Sequence, residues 1–281
     1  MEIGEFNSGC SYIRFGKGKG KLVIFPPLND SLFSAEKFAW YYRHIYGKLG
    51  QQFDVYIIST KRHPPVGYST RDIARDYAGI IKPLGPVNIM GISLGGMVAQ
   101  HFACDYAQYV KRLILVASAH RMGPEGLIIA RRWIPWARLG LWKEIYEDTI
   151  ELSYRFSYRI LFNLLKPFFG RYLSKSVKDP SGFIIAGQSG IMHDSFDILP
   201  QLKMPVLVIA GTQDRFFPEP LFHEMGERLP QCELLIIKGA KHGVFEENKR
   251  ECLRAITAFI QPKTVHLSPS PLTLEPVPSY H

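Results

Sequence analysis

The chain has 281 residues, 46% hydrophobic and 13% aromatic, which suits one large domain with an insertion better than two equal domains. Its formal charge is +9, yet no recognised nucleic-acid-binding motif accompanies the basic residues and no uninterrupted apolar run is long enough to span a membrane. Acidic Glu2 and Glu5 stand where a basic leader would begin, and four cysteines show neither metal nor C-x-x-C spacing. No signal peptide is therefore expected, and reduced thiols in a cytoplasmic setting are.

Within Met1–Lys19, polar and Gly-rich, one strand is expected at Ser11–Phe15. Lys21–Phe25 is an apolar strand ended by Pro26-Pro27. Ser34–Leu49 carries Phe38, Tyr41, Tyr42, Ile45 and Leu49 at helical spacing, with Ser34 as its cap. Asp54–Ser59 is the next strand, followed by a helix over Thr70–Leu84 with Thr70 as cap. Val87–Gly91 is a strand, a helix runs from the following turn to about Tyr106, and Arg112–Ala117 is a strand again. This alternation predicts parallel pairing with helices on both faces.

Residues 120–199 differ: they are helical in period, with no convincing strand. Arg121–Lys178 holds eleven Lys/Arg against five Asp/Glu, and eleven aromatic residues, among them Trp133, Trp136 and Trp142. The strand pattern resumes at Pro205–Ala210 and Glu233–Ile237, with helices near Glu219–Leu229 and Glu247–Ile260. Residues 263–281, Pro-rich and without periodicity, are expected to form a disordered tail.

The chemistry gathers at the turn between Val87–Gly91 and the helix after it. Gly91-Ile92-Ser93-Leu94-Gly95 is a G-x-S-x-G elbow, in which a strand turning directly into a helix leaves a serine hydroxyl clear of both. The helix N-terminus then points its N–H groups and positive dipole end at the reacting centre. A serine needs a base within hydrogen-bond reach, and the base needs an acceptor that fixes its tautomer. In a parallel sheet such groups gather beyond the carboxyl ends of the strands. Asp214 follows the strand Pro205–Ala210, and His242 follows Glu233–Ile237. The other eight histidines fall on helices, in the tail or in less suitable loops.

From about Lys21 to Ile260 the chain resembles the α/β-hydrolase superfamily. The matching pieces are Gly91–Gly96 (GISLGG), Gly211–Pro218 (GTQDRFFP) and Gly239–Phe245 (GAKHGVF). The resemblance implies an α/β fold: a mostly parallel sheet flanked by helices, with a helical cap inserted after the sixth strand. Residues 1–119 and 200–262 would then form the core and 120–199 the cap. It makes Ser93 the nucleophile, His242 the general base and acid, and Asp214 the group that orients His242. It implies no metal or organic cofactor.

Many members carry His-Gly where this chain has Pro26-Pro27-Leu28-Asn29. An oxyanion needs two backbone donors, and proline has none. The expected pair is therefore Leu94 N–H and Leu28 N–H. The expected substrate is a small acyl compound, a carboxylic ester with an apolar acyl or aryl group, and not nucleic acid. A weak contact of the basic, aromatic cap with a membrane surface or lipid is a further expectation. The same three residues could serve a lactonase, a thioesterase, a carbon–carbon hydrolase, an acyltransferase or a ligand receptor with little turnover. The cap arginines could also favour an anionic substrate end.

Overall fold

The computed structural model describes residues 1–6, 8–32, 35–155, 160, 177 and 179–261. The expected disordered tail, the Ser34 cap and six of the eleven aromatic residues between 121 and 178 lie outside the described residues. Eight strands form one sheet: β1 (Glu2–Glu5), β2 (Ser11–Phe15), β3 (Gly20–Phe25), β4 (Phe53–Ile58), β5 (Val87–Ile92), β6 (Val110–Val116), β7 (Val206–Gly211) and β8 (Cys232–Ile237). Their order is β1-β2-β4-β3-β5-β6-β7-β8. β2 runs antiparallel to β1 and β4, and the remaining pairs are parallel.

Alternation along the strands divides the core in two. Val23, Ile89, Leu113 and Leu115 face one side, with the helices α2 (Thr70–Ile81), α3 (Leu94–Asp105) and α7 (Glu219–Arg228) packed there through Ile73, Tyr77, Phe102 and Phe222. Leu22, Ile24, Met90, Ile114 and Val116 face the other side. There α1 (Ala35–Tyr46) and α9 (Lys249–Ile260) pack through Tyr42, Ile45, Ile256 and Phe259. Burial on both faces explains the near-continuous apolar runs of the central strands. It also brings the loops after β3, β5, β7 and β8 out at one edge of the sheet.

Local differences from the sequence reading have local causes. β1 joins through an exposed edge strand whose residues carry no apolar pattern. α2 is capped by Ser69 rather than Thr70: Ser69 Oγ accepts from Asp72 N–H, and the Asp72 carboxylate returns a bond to Ser69 N–H. Leu49 lies in a separate short turn beyond α1 but stays buried. The last helix is preceded by a short one, α8 (Val244–Glu247).

Between β6 and β7 the described helices are α4 (Pro124–Arg138), α5 (Trp142–Ser153) and α6 (Ser181–Ile191). The return from this insertion is pinned to the core by buried polar bonds. His193 joins Thr70 Oγ1 (2.9 Å) to Ser195 Oγ (3.2 Å), and Ser195 Oγ donates to Gln100 Oε1 at 2.7 Å. Burial holds the His193 imidazole well below the ordinary histidine range, and the nearby His101 and His120 act in the same direction. No described helix is long and apolar enough to cross a membrane.

Candidate active site

Ser93 occupies the turn from β5 into α3 with φ 51° and ψ −117°, a left-handed conformation that a side chain adopts only under constraint. The glycines beside it supply the constraint. A Cβ on Gly91 would lie 2.5 Å from the backbone of Gly95 and Gly96, and one on Gly95 would press into the carbonyls of Phe25 and Pro26. Ser93 N–H is held by Val116 O on β6 at 2.9 Å. The serine therefore projects from a turn that the packing of β3, β5, β6 and α3 determines.

The structure brings Ser93, His242 and Asp214 together. His242 Nε2 lies 2.9 Å from Ser93 Oγ, and His242 Nδ1 lies 2.8 Å from Asp214 Oδ2. The two loops that carry them are tied to each other. Gln213 N–H bonds Ala240 O, Thr212 N–H bonds Ile237 O, and Gly239 N–H donates to Thr212 Oγ1. The Asp214 side chain is fully buried, and its Oδ1 accepts from Phe216 N–H (2.8 Å) and Phe217 N–H (3.1 Å). Oδ2 is thereby aimed at the imidazole. Phe216 and Phe217 also pack their rings on His242, with centroids 4.7 and 5.8 Å away. Burial alone would lower the His242 pKa, but the charge and hydrogen bond of Asp214, with Glu246 adding to them, raise it above the ordinary value of 6.5.

Leu94 is the first residue of α3, and Leu28 the first of the helical turn Leu28–Leu32 after β3. An N–H at that position has no intrahelical partner. Both residues line the cavity that Ser93 and His242 enter, as does Asn29. The turn is anchored from beneath by Asp30, which is 3% exposed. Its Oδ1 accepts from Tyr42 Oη (2.7 Å) and Ser59 Oγ (3.0 Å), while the buried Oδ2 has no hydrogen-bond partner among the described residues. Burial pushes the Asp30 carboxyl up to about 6 from 3.8, against the hydrogen bonds of Tyr42, Ser59 and the Thr60 backbone.

The native state thus binds a proton that the unfolded chain lacks between about pH 4 and 6, and stability attributable to Asp30 falls as pH rises through that window. The expected size is about 3 kcal/mol. Asp30→Asn keeps one acceptor oxygen and cannot ionise, so its stability relative to wild type should rise by about that amount from pH 4 to 7. Urea unfolding of both proteins across the range is the measurement; parallel curves would show that Asp30 does not titrate.

The cavity has a volume of about 120 Å³. Ala130, Trp133 and Ile134 of α4, Phe183 and Ala186 of α6, and Met122, Phe216 and Phe217 make most of its wall apolar. Of the five described aromatics between 121 and 178, Trp133 and Tyr154 line it, whereas Trp142 packs edge-on against Phe183. The described arginines of the insertion do not line it: Arg121 pairs with Glu224, Arg132 with Asp148 and Arg155 with Glu247. The end of α5 is fastened to the His242 loop, with Gly243 N–H donating to Ser153 O (2.8 Å), Lys241 Nζ to Glu151 O, and Arg155 N–H to Glu247 Oε1. Sequence reasoning missed Asp30 and Glu246. Both are acids made significant by burial, which their positions in a turn and a short helix do not announce.

Residues 56–249 match the alpha/beta hydrolase fold family. The chain is 26% identical over 261 residues to an AB hydrolase superfamily protein of Bacillus subtilis, covering 86% of this chain and 92% of that one. It is 26% identical over 229 residues to a pimeloyl-[acyl-carrier protein] methyl ester esterase of Vibrio atlanticus, covering 76% and 86%. Among solved structures it superposes on an alpha/beta hydrolase enzyme from a deep-sea metagenome library with a TM-score of 0.78 at 19% identity, over 92% of this chain and 97% of the other. Strand order, the strained serine turn and a sequence match over most of the sheet agree, and the chain belongs to the alpha/beta hydrolase fold family.

Proposed function

We propose that the protein is a serine hydrolase that cleaves a carboxylic ester or related acyl compound through an acyl-enzyme. The observation that carries this reading is the unbroken Ser93–His242–Asp214 hydrogen-bond chain at the wall of an apolar cavity. Ser93 Oγ attacks the acyl carbon as its proton passes to His242 Nε2, and Asp214 stabilises the imidazolium. The N–H groups of Leu28 and Leu94 receive the charge that develops on the carbonyl oxygen. The leaving alcohol departs with the proton from Nε2. Water then attacks the acyl-enzyme, giving its proton to Nε2, and the acid leaves as Ser93 recovers a proton.

In this reading residues 120–199 act as a cap that selects the substrate, and the cytoplasm is the place of action, in keeping with four free cysteines. The apolar wall supports a preference for acyl or aryl groups that fill it. Each methylene buried should raise the specificity constant roughly fourfold until the space is full. The test pairs fluorophosphonate labelling of Ser93 with a series of p-nitrophenyl esters from acetate to decanoate. Labelling with a constant that climbs and then levels is expected. An unlabelled serine would point to a binding protein, and a constant falling steadily from acetate would remove the apolar preference.

A further inference from the structure

Two prolines open the loop after β3, and neither Pro26 nor Pro27 has an N–H with which to tie the backbone down. Asp30, two residues past Leu28, joins this loop to the core. Its Oδ1 accepts from Tyr42 Oη at 2.7 Å and from Ser59 Oγ at 3.0 Å, so one oxygen links the turn to α1 and to the residue after β4. Within the turn, Asp30 N–H donates to Pro27 O (3.0 Å) and Ser31 Oγ to Leu28 O (2.6 Å), which couples the backbone from Pro27 to Ser31. Resting on the serine-hydrolase reading above, we infer that Asp30 is a positioning residue: it fixes where Leu28 N–H stands relative to Leu94 N–H, and through that spacing the charge the two donors can stabilise on the oxyanion.

The packing around the two donors gives Asp30 this reach. Leu28 and Leu94 line the cavity that Ser93 enters, and both also border a second gap whose wall includes Asp30. That gap has a volume of about 10 Å³, room for about one water, so little slack lies between the carboxyl and the donors. The start of α3 is pressed against the end of β3: a Cβ on Gly95 would lie 2.1 Å from Phe25 O and 2.6 Å from Pro26 O. Leu94 is thus placed by the contact of its neighbour Gly95 with Pro26, and Leu28 by the tie through Asp30. The spacing between their N–H groups holds only while both constraints do. Removing one oxyanion donor costs about two to three powers of ten in kcat, and a misplacement of about 1 Å costs on the order of a hundredfold. A residue that never touches substrate can therefore act on the rate through the donor it carries.

The experiment compares Asp30→Ala, Asp30→Asn, Tyr42→Phe and Ser59→Ala with wild type on one p-nitrophenyl ester at neutral pH. Rates are expressed per Ser93 that a fluorophosphonate labels, so misfolded protein is not counted. In Asp30→Ala, kcat should fall by at least about tenfold while KM stays within roughly threefold. Asp30→Asn, whose Oδ1 can still accept from both hydroxyls, should recover most of that loss. Tyr42→Phe and Ser59→Ala should each lower kcat by at least about threefold. A trifluoromethyl ketone adds a readout that a purely structural role would not move. Ser93 Oγ bonds to its carbonyl carbon, the Oγ proton passes to His242 Nε2, and the C=O π pair becomes an oxyanion for Leu28 and Leu94 N–H to receive. Its affinity should fall by the same factor as kcat/KM across the series. A kcat loss below about tenfold in Asp30→Ala, an asparagine variant no better than alanine, or ketone affinity unchanged while kcat falls would overturn the proposal. Should the alanine variant fail to fold, losses below about threefold in both Tyr42→Phe and Ser59→Ala overturn it instead. A labelled, active wild type with a flat series removes only the role of Asp30, and an unlabelled wild type that turns over no ester removes the hydrolase reading and this inference with it.

Discussion

Ser93→Ala should lower ester hydrolysis by about five powers of ten or more, the scale on which removal of such a nucleophile acts. Among the described residues the side chain makes one hydrogen bond, to His242 Nε2, so little else is lost with it. Alanine at φ 51° bears the same backbone strain as serine, and the collisions that exclude a Cβ at Gly91 and Gly95 are untouched. The variant should therefore unfold near the wild-type temperature while losing turnover and fluorophosphonate labelling together. Calorimetry and a p-nitrophenyl ester assay on one preparation check this. Turnover within about tenfold of wild type would exclude Ser93 as the nucleophile.

Asp214→Asn and His242→Ala should each cost about four powers of ten or more, and the double variant little beyond the worse single, because the residues act as a unit. The geometry explains why asparagine fails. Oδ1 can still accept from Phe216 and Phe217, which fixes the amide with Nδ2 toward His242. An amide donor at that point demands an unprotonated Nδ1, which places the imidazole proton on Nε2, where the base must be free. Losses that multiplied in the double variant would show independent roles. The pH profile carries a second signature. Because Asp214 raises the His242 pKa, kcat/KM should fall as pH drops through a value above 6.5, and in Asp214→Asn that limb should move to lower pH.

Periodicity and strand ends made most of this legible in the sequence. The runs at Val87–Ile92 and Val206–Gly211 are apolar because both faces of those strands are buried, and that regularity placed Ser93 and Asp214 just past strand ends. β1 escaped because an exposed edge strand has no face to pattern. Thr70 was the expected cap of α2 because two hydroxyl residues are adjacent there, and only the reciprocal bonds of Ser69 and Asp72 decide between them. Asp30 and Glu246 could not be read at all. Each is polar, lies in a short turn or helix, and owes its raised pKa to burial by elements distant in sequence, against the hydrogen bonds of Tyr42 and Ser59 for one and Tyr41 for the other.

The bond from Gly243 N–H to Ser153 O joins the end of α5 to the residue next to His242, and the Arg155–Glu247 pair reinforces it on a side chain that is 1% exposed. The end of α5 and the His242 loop are thus mechanically joined, and a displacement of that end would pull on the loop that holds the imidazole beside Ser93. In the hydrolase reading proposed above, changes along α5 are therefore expected to reach the placement of His242 as well as the fit of the substrate, and α4, tied to α5 through Arg132, Trp133 and Asp148, shares in that coupling.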